Sequence, residues 1–426
     1  MAIVALSLLG ACTGGSIDVE EMRVEQSSTT SIATTISTRG ISTTSTAGRV
    51  SEGGPIEPAE AFTPTTTAPG PVEVALARLT IEQKVGQLVM AAVWGTDANT
   101  VAPRDLAPNQ GIGRVNTPAE MVAAQGLGGV VLLRRNVVDG SQVANLSAGL
   151  QAAAAPSGIG LLIAVDQEGG RVTRIRNGAT TFPSARELAG DAGAVRAAAA
   201  VTAAEMRSFG INVVLAPVAD LTDSHEGIIG DRAYGADPRL VSEMVVAAID
   251  GLQAGDGTNP GAAAAVKHWP GHGATDIDSH QSLPVIGVDE PTWRERERVP
   301  FAAAVAAGVD IVLVGHLALP AIDPTGEPAT VSTLLLDGQL RQQLGFQGVV
   351  MTDALDMGAV GGYERGELAV RAVLAGADLL LAPPDVQLTR EALVNAVASG
   401  RISLERIDAS VERILRLKQR LGVPVG

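Results

Sequence analysis

The run Ala262-Ala263-Ala264-Ala265-Val266 leads directly into Lys267-His268-Trp269-Pro270-Gly271-His272-Gly273-Ala274-Thr275-Asp276-Ile277-Asp278-Ser279-His280. The small apolar residues read as a buried strand. The residues after them gather three histidines, a lysine and two aspartates among glycines and a proline. Burying so many ionisable groups without partners would cost on the order of several kcal/mol each. The stretch therefore reads as a loop in a polar cleft, held in place by the strand before it.

The same unit recurs along the chain. Short β-rich runs occupy residues 129–133, 160–165, 211–217, 263–267, 309–314, 348–352 and 378–381, with an eighth near 88–93. Alanine-rich helical stretches lie between them, at 195–209, 239–254, 292–307, 334–344 and 367–375. Apolar strands alternating with helices predict a parallel sheet covered on both faces. The fold expected is α/β, a single (β/α)8 TIM-like barrel, with an open doubly wound sheet as the alternative. Polar residues follow the strands: Asp166-Gln167-Glu168-Gly169-Gly170-Arg171, Asp220, Gly230-Asp231-Arg232, Lys267-His268, Gly315-His316 and Thr352-Asp353-Ala354-Leu355-Asp356-Met357. Polar groups at the C-terminal ends of barrel strands are how this fold builds an active site.

Composition narrows the function further. Aromatics are only 2% and the formal charge is −15, which argues against a surface that binds nucleic acid. One cysteine excludes an internal disulfide and any multi-cysteine metal site. That residue, Cys12, follows a short apolar run and Leu9-Gly10-Ala11, which resembles the end of a bacterial lipoprotein signal. No Lys or Arg precedes the run, so the n-region of such a signal is missing. Residues 1–11 are read as the signal segment and Cys12 as the lipidated residue. The alternative is a short hydrophobic terminus with no export role. Residues 12–71, rich in Ser, Thr, Gly and Pro, are read as a disordered tether, and residues 72–426 as the catalytic barrel. Thr80 and Gln83 are spaced as a capping box before a helix over 81–90. The final stretch, 403–418, is an amphipathic helix whose Arg and Lys residues are expected to form a solvated face. No second domain is expected after it.

Asp353 directly follows an apolar strand, where its carboxylate can face a substrate. Asp278 and His280 are two residues apart, so in an extended segment both side chains point the same way and can hydrogen-bond. A carboxylate beside a histidine favours the imidazolium and fixes its orientation, which suits His280 to donate a proton and take one back. One carboxylate nucleophile and one proton shuttle are the minimal set for double-displacement glycoside hydrolysis. The usual shuttle is a second carboxylic acid, so a histidine is a departure.

The motifs Asp166-Gln167-Glu168-Gly169-Gly170-Arg171-Val172, Asp231-Arg232, the Lys267 to His280 signature and Thr352-Asp353 occur in one order. Together they resemble bacterial β-N-acetylglucosaminidases of glycoside hydrolase family 3 that trim peptidoglycan fragments, over essentially all of 72–426. The resemblance implies a retaining hydrolase. Asp353 would be the nucleophile, His280 the general acid/base and Asp278 its partner. Lys267 and His268 would bind sugar hydroxyls, while Asp166, Arg174 and Arg232 would fix the non-reducing-end sugar. It implies a carbohydrate substrate, and no cofactor or metal is implied; the Cys12 reading adds export to the outer face of the cytoplasmic membrane on a lipid anchor. Trp269 stands where phenylalanine is commoner, and Ala274 where many members have aspartate.

Each assignment has a plainer alternative. Asp353 could cap a helix, His280 could be a structural loop residue and Asp278 a turn former. Lys267 and His268 could be an ion-pairing strand end, and Arg174 and Arg232 surface arginines. His272 reads as a residue that shapes its loop, and His225 and His316 carry no assignment. The histidines share one loop, not the helix on which a His-x-x-x-His pair forms a zinc site. Other readings are a β-glucosidase or a glycosidase that passes the sugar to phosphate. In many members the acid comes from a second domain, so the Asp-Ser-His loop favours the hexosaminidase. A silent, cell-wall-binding lipoprotein is the reading outside enzymology.

Overall fold

The structure is a computed structural model that describes residues 69–255, 257 and 259–426. The expected signal segment, Cys12 and nearly all of the expected tether lie outside the described residues. Helix Pro71–Arg78 opens the described chain, and helix Ile81–Gln87 follows with the expected capping box. The Thr80 hydroxyl accepts from the Gln83 amide, and Gln83 Oε1 accepts from the Thr80 amide. That helix stops at Gln87, short of the expected residue 90, because the next residues pair on both sides as the first strand.

Eight parallel strands make up the barrel: β1 Val89–Ala92, β2 Gly129–Leu132, β3 Leu162–Val165, β4 Val213–Val214, β5 Ala263–Trp269, β6 Ile311–Val314, β7 Val349–Thr352 and β8 Leu380–Leu381. They pair in the order β8-β1-β2-β3-β4-β5-β6-β7. A bridge between Met351 and Leu379 joins the two ends, with the Thr352 amide donating to the Leu379 carbonyl at 3.0 Å. The barrel thus has the eight expected strands and its two ends meet, which removes the open-sheet alternative. Strand residues are buried on both faces, against the barrel interior and against the helices outside.

Small residues set how closely the outer layer packs. Helices Ala192–Ser208 and Pro238–Gln253 lie so near that a Cβ on Gly251 would come 2.3 Å from the Arg196 carbonyl. The helix expected over 292–307 is two helices, Glu290–Glu295 and Arg298–Ala306. Pro300 has no amide to continue the ladder, and the chain breaks at Arg296 (φ −122°, ψ −84°). Trp269 is core: it meets Trp293 and Phe301 edge to face at 5.6 and 5.3 Å.

The last helix, Leu404–Arg420, corrects the expectation of a solvated basic face. Arg406 and Arg413 reach the fully buried carboxylate of Asp378, which also takes Arg341, the Ser410 hydroxyl and the Val350 amide. Lys418 is fully buried, with Nζ on Gln87 Oε1 at 2.6 Å. Long aliphatic stems let these cations turn inward around distant partners. Among the described residues no helix is long and apolar enough to cross a membrane.

Candidate active site

At the C-terminal ends of the strands lies a cleft of about 310 Å³, lined by Asp166, Glu168, Arg174, Arg232, Lys267, His268, His272, Ser279, His280, Asp353 and Asp356 among others. Of the residues assigned from the sequence, Asp166, Arg174, Arg232, Lys267, His268, His280 and Asp353 line it, and Asp278 holds His280 from behind.

One wall is a charge network. Strand β3 ends at Val165, and a tight hairpin, Gln167–Gly169 with Val172–Thr173, turns through Gly169 (φ 94°) and Gly170 (φ 52°). Buried Gln167 closes it, its Oε1 accepting from the amides of Arg174 and Ile175 and its Nε2 donating to the Ile175 carbonyl. Arg174 is thereby returned to Asp166 at 3.1 Å. Lys267 Nζ sits 2.9 Å from Asp166 and 2.6 Å from Glu168, and Arg232 forks onto Glu168 at 2.8 and 2.9 Å. Burial would raise the carboxyl pKa values of Asp166 and Glu168. Lys267 and Arg174 outweigh it at Asp166, and Arg232 and Lys267 at Glu168, so both are held below the usual carboxylate range. Burial would likewise lower Lys267, but the two carboxylates hold it above its ordinary value. Asp166, Glu168 and Lys267 thus stay ionised in a confined space with Arg174 and Arg232 beside them, presenting both donors and acceptors to the cleft.

The floor belongs to Asp220, fully buried after β4. It accepts from His268 Nδ1 at 2.6 Å and from the amides of His268 and His272 at 3.2 and 2.7 Å. Burial raises the Asp220 pKa, and His268 more than reverses this, leaving it below the ordinary range. With Nδ1 on Asp220, the Nε2 of a neutral His268 is the bare nitrogen, and Arg232 Nη2 lies 3.4 Å from it. The Lys267–His268 peptide is cis.

Opposite stand Asp353 and His280. Asp353 follows β7, its amide donates to the Val314 carbonyl, and its Oδ1 accepts from the Ala354 amide at 2.8 Å. Oδ2 has no hydrogen-bond partner among the described residues. The next helical turn, Gly358–Val360, has Met357 at its N-cap, so Asp353 caps no helix. His280 Nδ1 and the His280 amide both meet Asp278 Oδ1, at 2.8 and 2.9 Å. Asp278 also forms the turn, its carbonyl accepting from Gln281 and Ser282. Burial raises its pKa, but the His280 amide and ring together more than offset this and leave it below the ordinary carboxylate value. Asp278 is therefore both turn former and partner.

The plainer alternatives divide as follows. Lys267 does ion-pair and His268 hydrogen-bonds to Asp220, and both line the cleft. Arg232 is no surface arginine, with a side chain only 10% exposed. His225 is exposed and away from the cleft lining. His316 is fully buried behind the Asp353 loop, its Nε2 donating to the Ala354 carbonyl and its Nδ1 accepting from Thr330. His268, His272 and His280 hold three different partners, Asp220, Ser279 and Asp278, and do not converge on a point. Glu168, Asp220 and Ser279 were not assigned from the sequence. Glu168 had a signal in its spacing, since it follows Asp166 by two residues and shares its side of an extended segment. Asp220 had none beyond following a strand.

The family description "Glycosyl hydrolase family 3 N terminal domain" matches residues 80–417. A beta-hexosaminidase of Nitrosomonas eutropha is 33% identical over 310 residues, 69% of this chain and 86% of that protein. Beta-hexosaminidase A of Pseudoalteromonas piscicida is 31% identical over 334 residues, 71% of this chain and 55% of that protein. Among solved structures, a glycoside hydrolase family 3 beta-N-acetylglucosaminidase from a Paenibacillus species superposes with a TM-score of 0.73 at 43% identity. The match covers 81% of this chain and 63% of that one, so this chain spans little more than half of two of these relatives.

Proposed function

The chain belongs to glycosyl hydrolase family 3, and from that premise we propose that it is a retaining β-N-acetylhexosaminidase that removes terminal, non-reducing, β-linked N-acetylglucosamine from peptidoglycan-derived fragments. The observation that carries this reading is the shared cleft. Asp353, with one carboxylate oxygen unengaged, and His280, backed by Asp278, line the same space as the ion network that suits a sugar.

In the first step Asp353 Oδ2 attacks the anomeric carbon while His280 Nε2 gives its proton to the leaving oxygen. The glycosidic bond breaks and a glycosyl-aspartate forms. Asp278 Oδ1 fixes the His280 Nδ1 proton, so Nε2 is the nitrogen that exchanges with substrate. In the second step His280 Nε2 takes a proton from water, water attacks the anomeric carbon, and Asp353 is released. Asp166, Lys267, Arg174, Glu168, Arg232 and His268 hold the sugar hydroxyls through both steps. Cys12 as a lipid anchor on the outer face of the cytoplasmic membrane belongs to the same proposal.

The deciding experiment compares nitrophenyl N-acetyl-β-glucosaminide with the β-glucoside, each with and without phosphate. Strong preference for the N-acetyl sugar is expected. Preference for the glucoside would overturn the substrate assignment, and a rate that depends on phosphate would make phosphate, not water, the acceptor.

A further inference from the structure

The His280 side chain is 62% exposed, and among the described residues its ring has one partner, Asp278. Packing does not place such a side chain, so its position is inherited from the backbone of its own loop. That backbone is held from two sides. The carbonyls of Ser279 and His280 accept from the amides of Ala359 and Gly358 at 3.1 and 3.0 Å, in the segment that continues from Asp353. From the other side His272 Nε2 meets the buried Ser279 hydroxyl at 3.1 Å, and the His272 amide is anchored on Asp220.

The Asp353 segment is itself tied down. Its Ala354 carbonyl accepts from the Met357 amide at 3.1 Å and from His316 Nε2 at 3.0 Å. At Gly358 the two loops meet backbone to backbone. A Cβ there would lie 2.5 Å from the Gln281 carbonyl oxygen and 2.7 Å from that of His280, both backbone atoms that cannot swing aside. Its φ is not in the left-handed region, so glycine serves here for space and not for conformation.

We propose that Gly358 and Ser279 are positioning residues: Gly358 lets the His280 loop seat on the Asp353 loop, Ser279 pins the same loop to His272, and together they latch it and set the reach between proton donor and nucleophile. The latch rests on the catalytic roles given above, but its geometry is testable apart from them. Gly358→Ala forces the loops apart through backbone contact. Ser279→Ala removes only the bond to His272.

The test measures kcat/KM for the wild type and both variants on the disaccharide N,N′-diacetylchitobiose and on dinitrophenyl N-acetyl-β-glucosaminide. It adds hydrogen exchange at the Gly358 and Ala359 amides. Displacing the acid should cost Gly358→Ala about 10- to 100-fold on the disaccharide. The dinitrophenyl substrate, whose leaving group needs little protonation, should lose less than about threefold. Ser279→Ala should shift in the same direction by less, and both variants should exchange faster at the two amides. Equal losses on both substrates would overturn the latch. Unchanged protection of both amides would also overturn it, even in a wild type inactive on either substrate, which would refute the glycosidase reading instead.

Discussion

Asp278 holds His280 twice through one oxygen, Oδ1 accepting from the backbone amide at 2.9 Å and from ring Nδ1 at 2.8 Å. The carboxylate therefore sets both the turn and the tautomer. His280→Ala is expected to lower kcat/KM on an unactivated disaccharide by on the order of 100- to 10,000-fold, with a much smaller loss on a dinitrophenyl glycoside. Asp278→Asn should follow the same pattern more weakly. Equal losses on the two substrates would remove His280 from the acid role.

Asp353 has one oxygen on the Ala354 amide and the other unengaged. Asp353→Asn keeps the shape and removes the proposed nucleophile. Turnover should fall to background while N-acetylglucosamine still binds, as read by calorimetry. Substantial residual turnover would place the nucleophile elsewhere.

Lys267, 3% exposed in its side chain, bridges Asp166 and Glu168. Lys267→Met leaves two carboxylates facing each other in a buried site, at a cost of about 3–5 kcal/mol. The folded pKa of Glu168 lies below its unfolded value, because Arg232 and Lys267 outweigh burial. Its stabilisation is therefore present above the unfolded pKa and is lost as pH falls through the folded one. The variant should unfold in acid at a higher pH than the wild type. Urea melts from pH 3 to 7 would show this, and coincident midpoints would contradict it.

Lys418 is fully buried, and burial pushes its ammonium pKa down to about 7. Above that pH the folded chain leaves Lys418 neutral, whereas the unfolded chain keeps its proton up to the ordinary lysine value of about 10.4. The unfolded state thus binds more protons between these values, so stability rises with pH across that window. Lys418→Met should flatten the slope and stabilise the fold at neutral pH by on the order of a few kcal/mol. Parallel slopes for the two proteins would mean that Lys418 stays charged inside.

Cys12 as the anchored residue predicts that the full chain partitions with membranes and that Cys12→Ala releases it. Equal membrane association of both forms would refute lipidation.

Much of the barrel was legible from short-range pattern. Residues 160–165 and 263–266 are apolar on both faces, and only a parallel sheet buried on both sides suits such strands. Asp353 and the Asp278-His280 pair could be found because each has its signal within a few residues. The final helix was misread for the opposite reason: its pattern shows where its cations lie along the chain but not that Asp378 waits beneath two of them.

By itself, then, the sequence determined the alternation of strands and helices, the polar residues at the strand ends, and the pairing of His280 with the Asp278 carboxylate. All depend on periodicity or on neighbours two or three residues apart. The tertiary structure alone decided which polar groups meet. His268 finds Asp220 across 48 residues, Arg232 finds Glu168 across 64, Lys267 finds Asp166 across 101 and Lys418 finds Gln87 across 331. Barrel closure sets those separations in space, and no local pattern encodes them. The physical reason is that a charge is stable in a buried site only beside its partner, and the fold determines where that partner stands.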